Sequence, residues 1–158
     1  MIEGQETKVM SVRDAIIEAM SEEMRRDENV FLIGEDVGVY GGDFGTSVGM
    51  LEEFGSERVR DTPISENAIS GCAVGAALTG MRPIVDVTFM DFIVYMMDNI
   101  VNQAAKTRYM YGGKGSVPVV FRCAAGSGLC SAAQHSQSLE AWFCHIPGLK
   151  VVAPGTPA

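Results

Sequence analysis

A chain of 158 residues with a net charge of −8 is sized for a single domain, since domains usually run to roughly 100–150 residues. At 47% hydrophobic and 20% charged it is too apolar for disorder, and its acidity argues against sequence-independent binding to nucleic acid or anionic membrane. No apolar run approaches the roughly 20 residues that span a bilayer.

The start of the chain, MIEGQETKVM, lacks the basic region and apolar stretch of a signal peptide. Val12 to Arg26 then repeats Ala15, Ile16, Ala19, Met20 and Met24 at helical spacing, with Ser11 and Asp14 placed as a capping box. Val30 to Ile33, closed by Gly34, is a continuous apolar run that predicts a buried strand. Five glycines at 38, 41, 42, 45 and 49 predict a long adaptable loop, and a short helix follows around Met50–Phe54. Arg58 to Thr62 reads as a second strand, stopped by Pro63.

Ser65 is placed to cap a helix running to Thr79, apolar or small almost all round and so expected to be buried. Its Gly71 and Gly75 would let another backbone approach closely. A third strand is predicted over Pro83–Val87, a long helix over Asp91–Arg108 and a fourth strand over Val117–Phe121. A helix over about 134–144 and a fifth strand over Leu149–Ala153 complete the pattern. Apolar strands alternating with helices predict an α/β fold, doubly wound, with a mainly parallel sheet covered on both faces. Four cysteines at wide spacing form no Cys-x-x-Cys pair, which argues against structural zinc and for reduced, partly buried thiols. The expected compartment is the cytoplasm, or the mitochondrial matrix once a targeting segment has been removed.

Ligands in open parallel sheets bind beyond the carboxyl ends of the strands. Those ends carry Glu35-Asp36, then Thr62 to Glu66 with Ile64 among them, then Thr88 to Phe92, and finally Arg122 with the loop leading to His135. Each has a plainer reading. Glu66 suits a helix dipole, Glu35 and Asp36 suit a solvated loop, Phe92 suits a core, and His135 suits any polar helix start. Neither Gly-x-Gly-x-x-Gly nor a phosphate loop of the Gly-x-x-x-x-Gly-Lys-Ser/Thr type is present. The residues alone give an acidic crevice without a phosphate grip.

Six ordered motifs carry a resemblance: DTPISE at 61–66, GCAVGAALTGMRPI at 71–84, DF at 91–92, NQAAKTRYMYGG at 102–113, AQHSQSLEAWF at 133–143 and PGLKVVAP at 147–154. Together they resemble the beta subunit of thiamine-diphosphate-dependent 2-oxo acid dehydrogenases, the pyruvate, branched-chain and acetoin types. The resemblance implies a transketolase-like pyrimidine-binding domain that holds the cofactor's aminopyrimidine ring. A partner alpha subunit would hold the diphosphate and Mg²⁺ through a Gly-Asp-Gly motif, which this chain lacks.

It also implies roles, residue by residue. Glu66 matches the cofactor-activating glutamate, hydrogen-bonding the ring nitrogen para to the amino group and so helping the thiazolium carbon lose its proton. Phe92 matches the aromatic residue stacked on the aminopyrimidine, with Thr88 and Ile64 as further cofactor contacts. Thr88 stands where the family has a bulkier residue. Glu35 matches an acid of a polar channel between two active sites. His135 matches a histidine near the substrate and the lipoyl acceptor. The backbone carbonyl of Val119 matches a ligand of a structural potassium ion.

The implied activity is oxidative decarboxylation of a 2-oxo acid with acyl transfer to lipoamide. The implied partners are the alpha subunit, in an assembly of two alpha and two beta chains, together with a lipoyl domain and an acyltransferase core. The other reading is a non-catalytic α/β module that keeps only the fold. Family beta subunits are about twice as long, so residues 1–158 read as a single truncated domain, a fragment or a split-gene product.

Overall fold

The computed structural model describes residues 8–157. The element order is α1 (Val12–Arg26), β1 (Val30–Gly34), α2 (Met50–Phe54), β2 (Val59–Asp61), α3 (Glu66–Leu78) and β3 (Arg82–Phe89). A 3₁₀ segment (Met90–Met96), a π segment (Asp98–Ala104), α4 (Ala105–Met110), β4 (Val120–Ala124) and α5 (Glu140–Cys144) follow. The four strands pair in parallel in the order β2-β1-β3-β4. The α/β expectation holds.

All five residues of β1 are buried, as a strand covered on both faces requires. Its side chains alternate. Phe31 and Ile33 join Val85 and Val87 of β3 against α3, the 3₁₀ and π segments and Phe143. Val30 and Leu32 join Val59 and Ile84 against Met20 and Met24 of α1 and Met50 of α2. Burying such side chains contributes about 1.5–3 kcal/mol each, and this two-sided burial pins the sheet register that sets where each strand ends. Arg58 adds a polar tie: its guanidinium donates to the carbonyls of Met24 (2.7 Å), Asp27 (2.9 Å) and Val30 (2.6 Å), joining the end of α1 to the start of β1.

Several expectations need correction. In α1 Met20 and Met24 are buried with Ile16 packed beside them, as expected, but Ala19 is exposed and Ser21 is buried in its place. The fourth strand begins at Val120, not Val117, because Pro118 cannot donate to a ladder and the 117–119 stretch precedes the pairing. The 90–110 run is helical throughout but 3₁₀, then π, then α.

The helix expected from 134 starts only at Glu140, because the preceding backbone is spent on other contacts. Gly126 N–H donates to the Gln137 carbonyl at 3.0 Å, and Leu139 N–H points at the Met90 sulfur at 3.0 Å. The fifth strand does not form among the described residues. Gly148 lies against the Ala105 carbonyl, and Lys106 donates to the Pro147 carbonyl at 2.9 Å, so the chain is held at α4 and not led to the edge of β4.

Helix α3 is not buried all round: Ile69, Ser70, Ala73, Val74 and Ala77 are covered, while Ala68, Cys72 and Gly75 are exposed. Gly71 does receive a neighbour, the Asn99 side chain at 3.7 Å from an added Cβ, but Gly75 has nothing within 4 Å among the described residues. The cysteines are free thiols, and only Cys123 is even half-buried, where burial pushes its pKa up to about 11.

Candidate functional site

In the order β2-β1-β3-β4 the chain leaves β1 to one side and returns on the other, so the switch point lies between the carboxyl ends of β1 and β3. That is where open α/β sheets bind ligands. Glu35 follows β1 directly, Thr88 and Phe89 end β3, and Glu66 opens α3 beyond β2. The rim residues selected from the sequence are therefore brought to one end of the sheet.

Two carboxylates interact there. Burial raises the pKa of Glu35 above its ordinary value, the Glu66 carboxylate pushes it further, and the Ser65 N–H pulls the other way. Glu35 Oε1 is buried without a hydrogen-bond partner among the described residues, as is Thr62 Oγ1. A folded-state pKa above the ordinary 4.5 means that ionisation costs the folded state. This stability is present in full below 4.5 and is lost as pH rises through the raised value. Glu35→Gln should therefore melt higher than the parent chain at pH 7, with the two midpoints converging below pH 4.5. An equal or lower midpoint at pH 7 in a thermal melt contradicts this electrostatic account.

Glu66 is held by means the sequence did not reveal. Its expected cap, Ser65, occupies the N-cap position but makes no side-chain cap bond. Instead Ser70 Oγ donates to the carbonyls of Glu66 (2.9 Å) and Asn67 (3.0 Å). Asn99, from the π segment, sets its amide on Ser70 Oγ (2.9 Å), Asn67 Oδ1 (2.9 Å) and the Asn67 carbonyl (3.1 Å). An added Cβ at Gly71 would meet the Asn99 side chain at 3.7 Å, an ordinary contact, so Asn99 packs directly over this turn of α3.

An aromatic cluster gathers at the carboxyl end of β3. Phe92 and His135 meet edge to face with centroids 5.2 Å apart, and Phe89 contacts both, at 5.8 Å from Phe92 and 4.8 Å from His135. Phe44, from the glycine-rich loop, closes on Phe89 at 5.2 Å. Phe89 follows an irregularity in the β3–β4 ladder between Asp86 and Phe89. Thr88 sits in that irregularity at φ +30°, a strained conformation for a β-branched residue. Such outliers cluster at functional sites.

The loops are tied down. Asp61 accepts from the Gly38 (2.6 Å) and Val39 (3.3 Å) N–H groups. An added Cβ at Gly38 would lie 2.6 Å from the Asp61 carboxylate, so only glycine permits this capture. Gln137 donates to the buried Asp91 at 2.7 Å, which steadies the loop carrying His135. Of the remaining sequence candidates, Ile64 is 82% exposed and Val119 is half-buried against the apolar core one residue before β4. Two open grooves, about 580 Å³ between α1 and α2 and about 520 Å³ beside β2, include none of Glu66, Phe92 and His135. The candidate site is an open rim.

Residues 8–158 match the profile of the transketolase pyrimidine-binding domain. The chain belongs to that family. Among relatives of this pyrimidine-binding domain, the pyruvate dehydrogenase beta subunit of Rhizobium meliloti is 51% identical over 155 residues, covering 98% of this chain and 34% of the relative. The 2-oxoisovalerate dehydrogenase beta subunit of Bacillus subtilis is 52% identical, covering 94% of this chain and 46% of the relative. The beta subunit of the same organism's acetoin:2,6-dichlorophenolindophenol oxidoreductase is 50% identical, covering 95% and 47% respectively. The resemblance drawn from the six motifs is thus borne out, and relatives bearing these names give no support to the non-catalytic reading.

The pyrimidine-binding domain described here spans between a third and a half of the length of these relatives. A solved split-gene transketolase, described as an inactive beta4 tetramer, shares the fold with a TM-score of 0.63 at 20% identity, covering 89% of this chain and 41% of its own. No described helix is long and apolar enough to cross a membrane.

Sequence reasoning missed Phe44, Phe89, Asn99 and the buried Asp86. A signal existed for the last. Asp86 interrupts the apolar run Pro83–Phe89, and Arg122 interrupts Val117–Cys123; an isolated charge in a buried strand calls for a partner, and the neighbouring strand carries one of opposite sign. Nothing in a glycine-rich loop singles out Phe44.

Proposed function

We propose that this chain supplies the aminopyrimidine half of a thiamine diphosphate site in a 2-oxo acid dehydrogenase, completed by an alpha subunit that holds the diphosphate and Mg²⁺. One observation supports this above the rest: coupled carboxylates, Glu35 and Glu66, share the switch-point rim with an aromatic wall. Arg122, on the strand beside that wall, is engaged by Asp86 and is not free to grip a diphosphate. An acid for a ring nitrogen and flat apolar faces for a ring suit an aminopyrimidine.

The cofactor supplies the electron sink for decarboxylation. The chain's own residues do the rest. Glu66 holds a proton at the ring nitrogen para to the amino group and exchanges it as that nitrogen's basicity changes. Glu35, whose pKa burial and Glu66 both raise, exchanges protons with Glu66 along the polar channel. Phe92 would hold the face of the pyrimidine, with Thr88 and Ile64 as further contacts, Ile64 being exposed and so open to a partner chain. His135, braced edge-on by Phe89 and Phe92, stands toward the substrate and the lipoyl acceptor. The Val119 carbonyl contributes to a potassium site, and the assembly is a heterotetramer that delivers acyl groups to a lipoyl domain bound to an acyltransferase core.

A site split in this way makes a binding prediction. In calorimetric titrations with Mg²⁺ present, thiamine diphosphate should bind the isolated chain negligibly. Binding should appear when an alpha subunit and a beta subunit of full length containing this sequence are combined. Tight binding by the isolated chain would place the diphosphate grip here and overturn the division of labour.

A further inference from the structure

The buried charges of this sheet are not spent on catalysis in the account above. Asp86 of β3 and Arg122 of β4 are register partners, and they form an ion pair with side chains only 8% and 18% exposed. Burial pushes the Asp86 carboxyl up and Arg122 pulls it back down, so the pair is costly to desolvate. Well-packed apolar residues would serve stability about as well. What the pair does that apolar residues cannot is hold other groups in place.

Three segments meet on it. Arg122 donates to Thr46 Oγ1 at 2.7 Å, which ties in the glycine-rich loop. Asp86 Oδ1 accepts the Thr88 N–H at 3.2 Å, which ties in the strained turn. Arg122 itself sits at the middle of β4, two residues before the strand ends at Ala124 and the 125–139 loop departs. Each segment supplies one ring of the aromatic cluster: Phe44 lies two residues before Thr46, Phe89 follows Thr88, and His135 lies on the loop after β4. A single buried cluster therefore fixes the bases of three arms whose tips converge.

We infer that the Asp86–Arg122–Thr46 cluster is a positioning device that sets the spacing of Phe44, Phe89 and His135 and thereby determines which acyl side chain the site accepts. The inference rests on the proposed function for its substrate, but the geometric part stands without it. Thr46 is the most direct handle. Its hydroxyl is the link to the loop, and Thr46→Val keeps the shape while removing the link. Thr46→Ser restores the hydroxyl.

The first readout needs no cofactor. His135 and His145 are the chain's two histidines, and Phe89 and Phe92 lie edge-on to His135. The His135 ring-proton resonances in the NMR spectrum, assigned with a His145→Gln variant, therefore report the spacing directly. Thr46→Val should shift them, Thr46→Ser should return them, and Arg122→Lys, whose shorter ammonium replaces the single Nη2 that reaches both Thr46 and Asp86, should shift them as well. The second readout uses the beta subunit of full length with its alpha partner and a series of 2-oxo acids of increasing side-chain size.

Thr46→Val should change the ratio of kcat/KM between small and branched substrates by roughly tenfold or more, because misplacements of about 1 Å cost on this scale. If the parent complex turns over none of these acids while the His135 resonances behave as expected, the proposed function fails and the positioning role survives. If Thr46→Val and Arg122→Lys lower the melting midpoint but leave both the His135 resonances and the substrate ratio unchanged, the cluster is a stabilising pair only and the inference is overturned.

Discussion

Glu66→Gln, placed in a beta subunit of full length and assembled with its alpha partner, should lower 2-oxo acid decarboxylation about 10²–10⁴-fold. General acid–base groups are worth that much, equivalent to roughly 3–5 kcal/mol of barrier. The competing role for Glu66, an acid complementing the start of α3, is worth a few tenths of a kcal/mol to about one. The two are separable because Glu66 is not what holds its helix turn. Ser70 and Asn99 do so through backbone carbonyls and the Asn67 side chain, and both survive the substitution.

The melting midpoint of the Gln variant should therefore stay nearly unchanged while activity falls. Hydrogen–deuterium exchange at the thiazolium carbon should fall with it, since an amide holds no exchangeable acid proton at the ring nitrogen. Exchange at the parent rate in the variant would reduce Glu66 to a helix-start acid.

The largest effect on folding should come from Gly148→Ala. Gly148 has φ +102°, a conformation that L side chains rarely adopt, and an added Cβ would lie 2.2 Å from the Ala105 carbonyl oxygen. Neither problem has an easy exit. The clashing atom is backbone, and the approach is fixed by Lys106, which holds the Pro147 carbonyl one residue earlier. Strain of about 1–3 kcal/mol from the dihedral adds to an overpacking cost of about 1–3 kcal/mol, for a loss of roughly 3–5 kcal/mol by denaturant titration. A loss under about 1 kcal/mol would mean that the 146–149 segment rearranges freely and that α4 does not anchor it.

That segment also marks the limit of what was legible. Strands β1 and β3 announce themselves because each is an apolar run covered on both faces, a local property of the sequence. Leu149–Ala153 has the same composition but no ladder partner among the described residues, because Gly148 commits the chain to α4 through a contact with Ala105, 43 positions away in sequence. Pairing is non-local, and composition does not encode it. The helix misjudged over 134–139 fails for a related reason: its backbone and side chains are diverted to Gly126, Met90 and Asp91.

At the site, Glu35, Glu66, Phe92 and His135 were readable from their places after strand ends, and the fold brings them to the same rim. Their supports were not. Asn99 reaches α3 from the 98–104 π segment, whose winding no local sequence pattern announces, and Phe44 is placed by a loop whose course depends on Asp61 and Arg122. Expected close packing at Gly75 went unmet because one face of α3 is open.

The most direct measurement of the proposed function is release of carbon dioxide from carboxyl-labelled pyruvate and branched-chain 2-oxo acids, with thiamine diphosphate and Mg²⁺ present. It compares the isolated chain, the alpha subunit, and the alpha subunit combined with a beta subunit of full length containing this sequence. Neither chain alone should release carbon dioxide, and the combination should release it steadily, with release abolished by Glu66→Gln. Release by the isolated chain, or none from any combination with any of these acids, would contradict the proposed function.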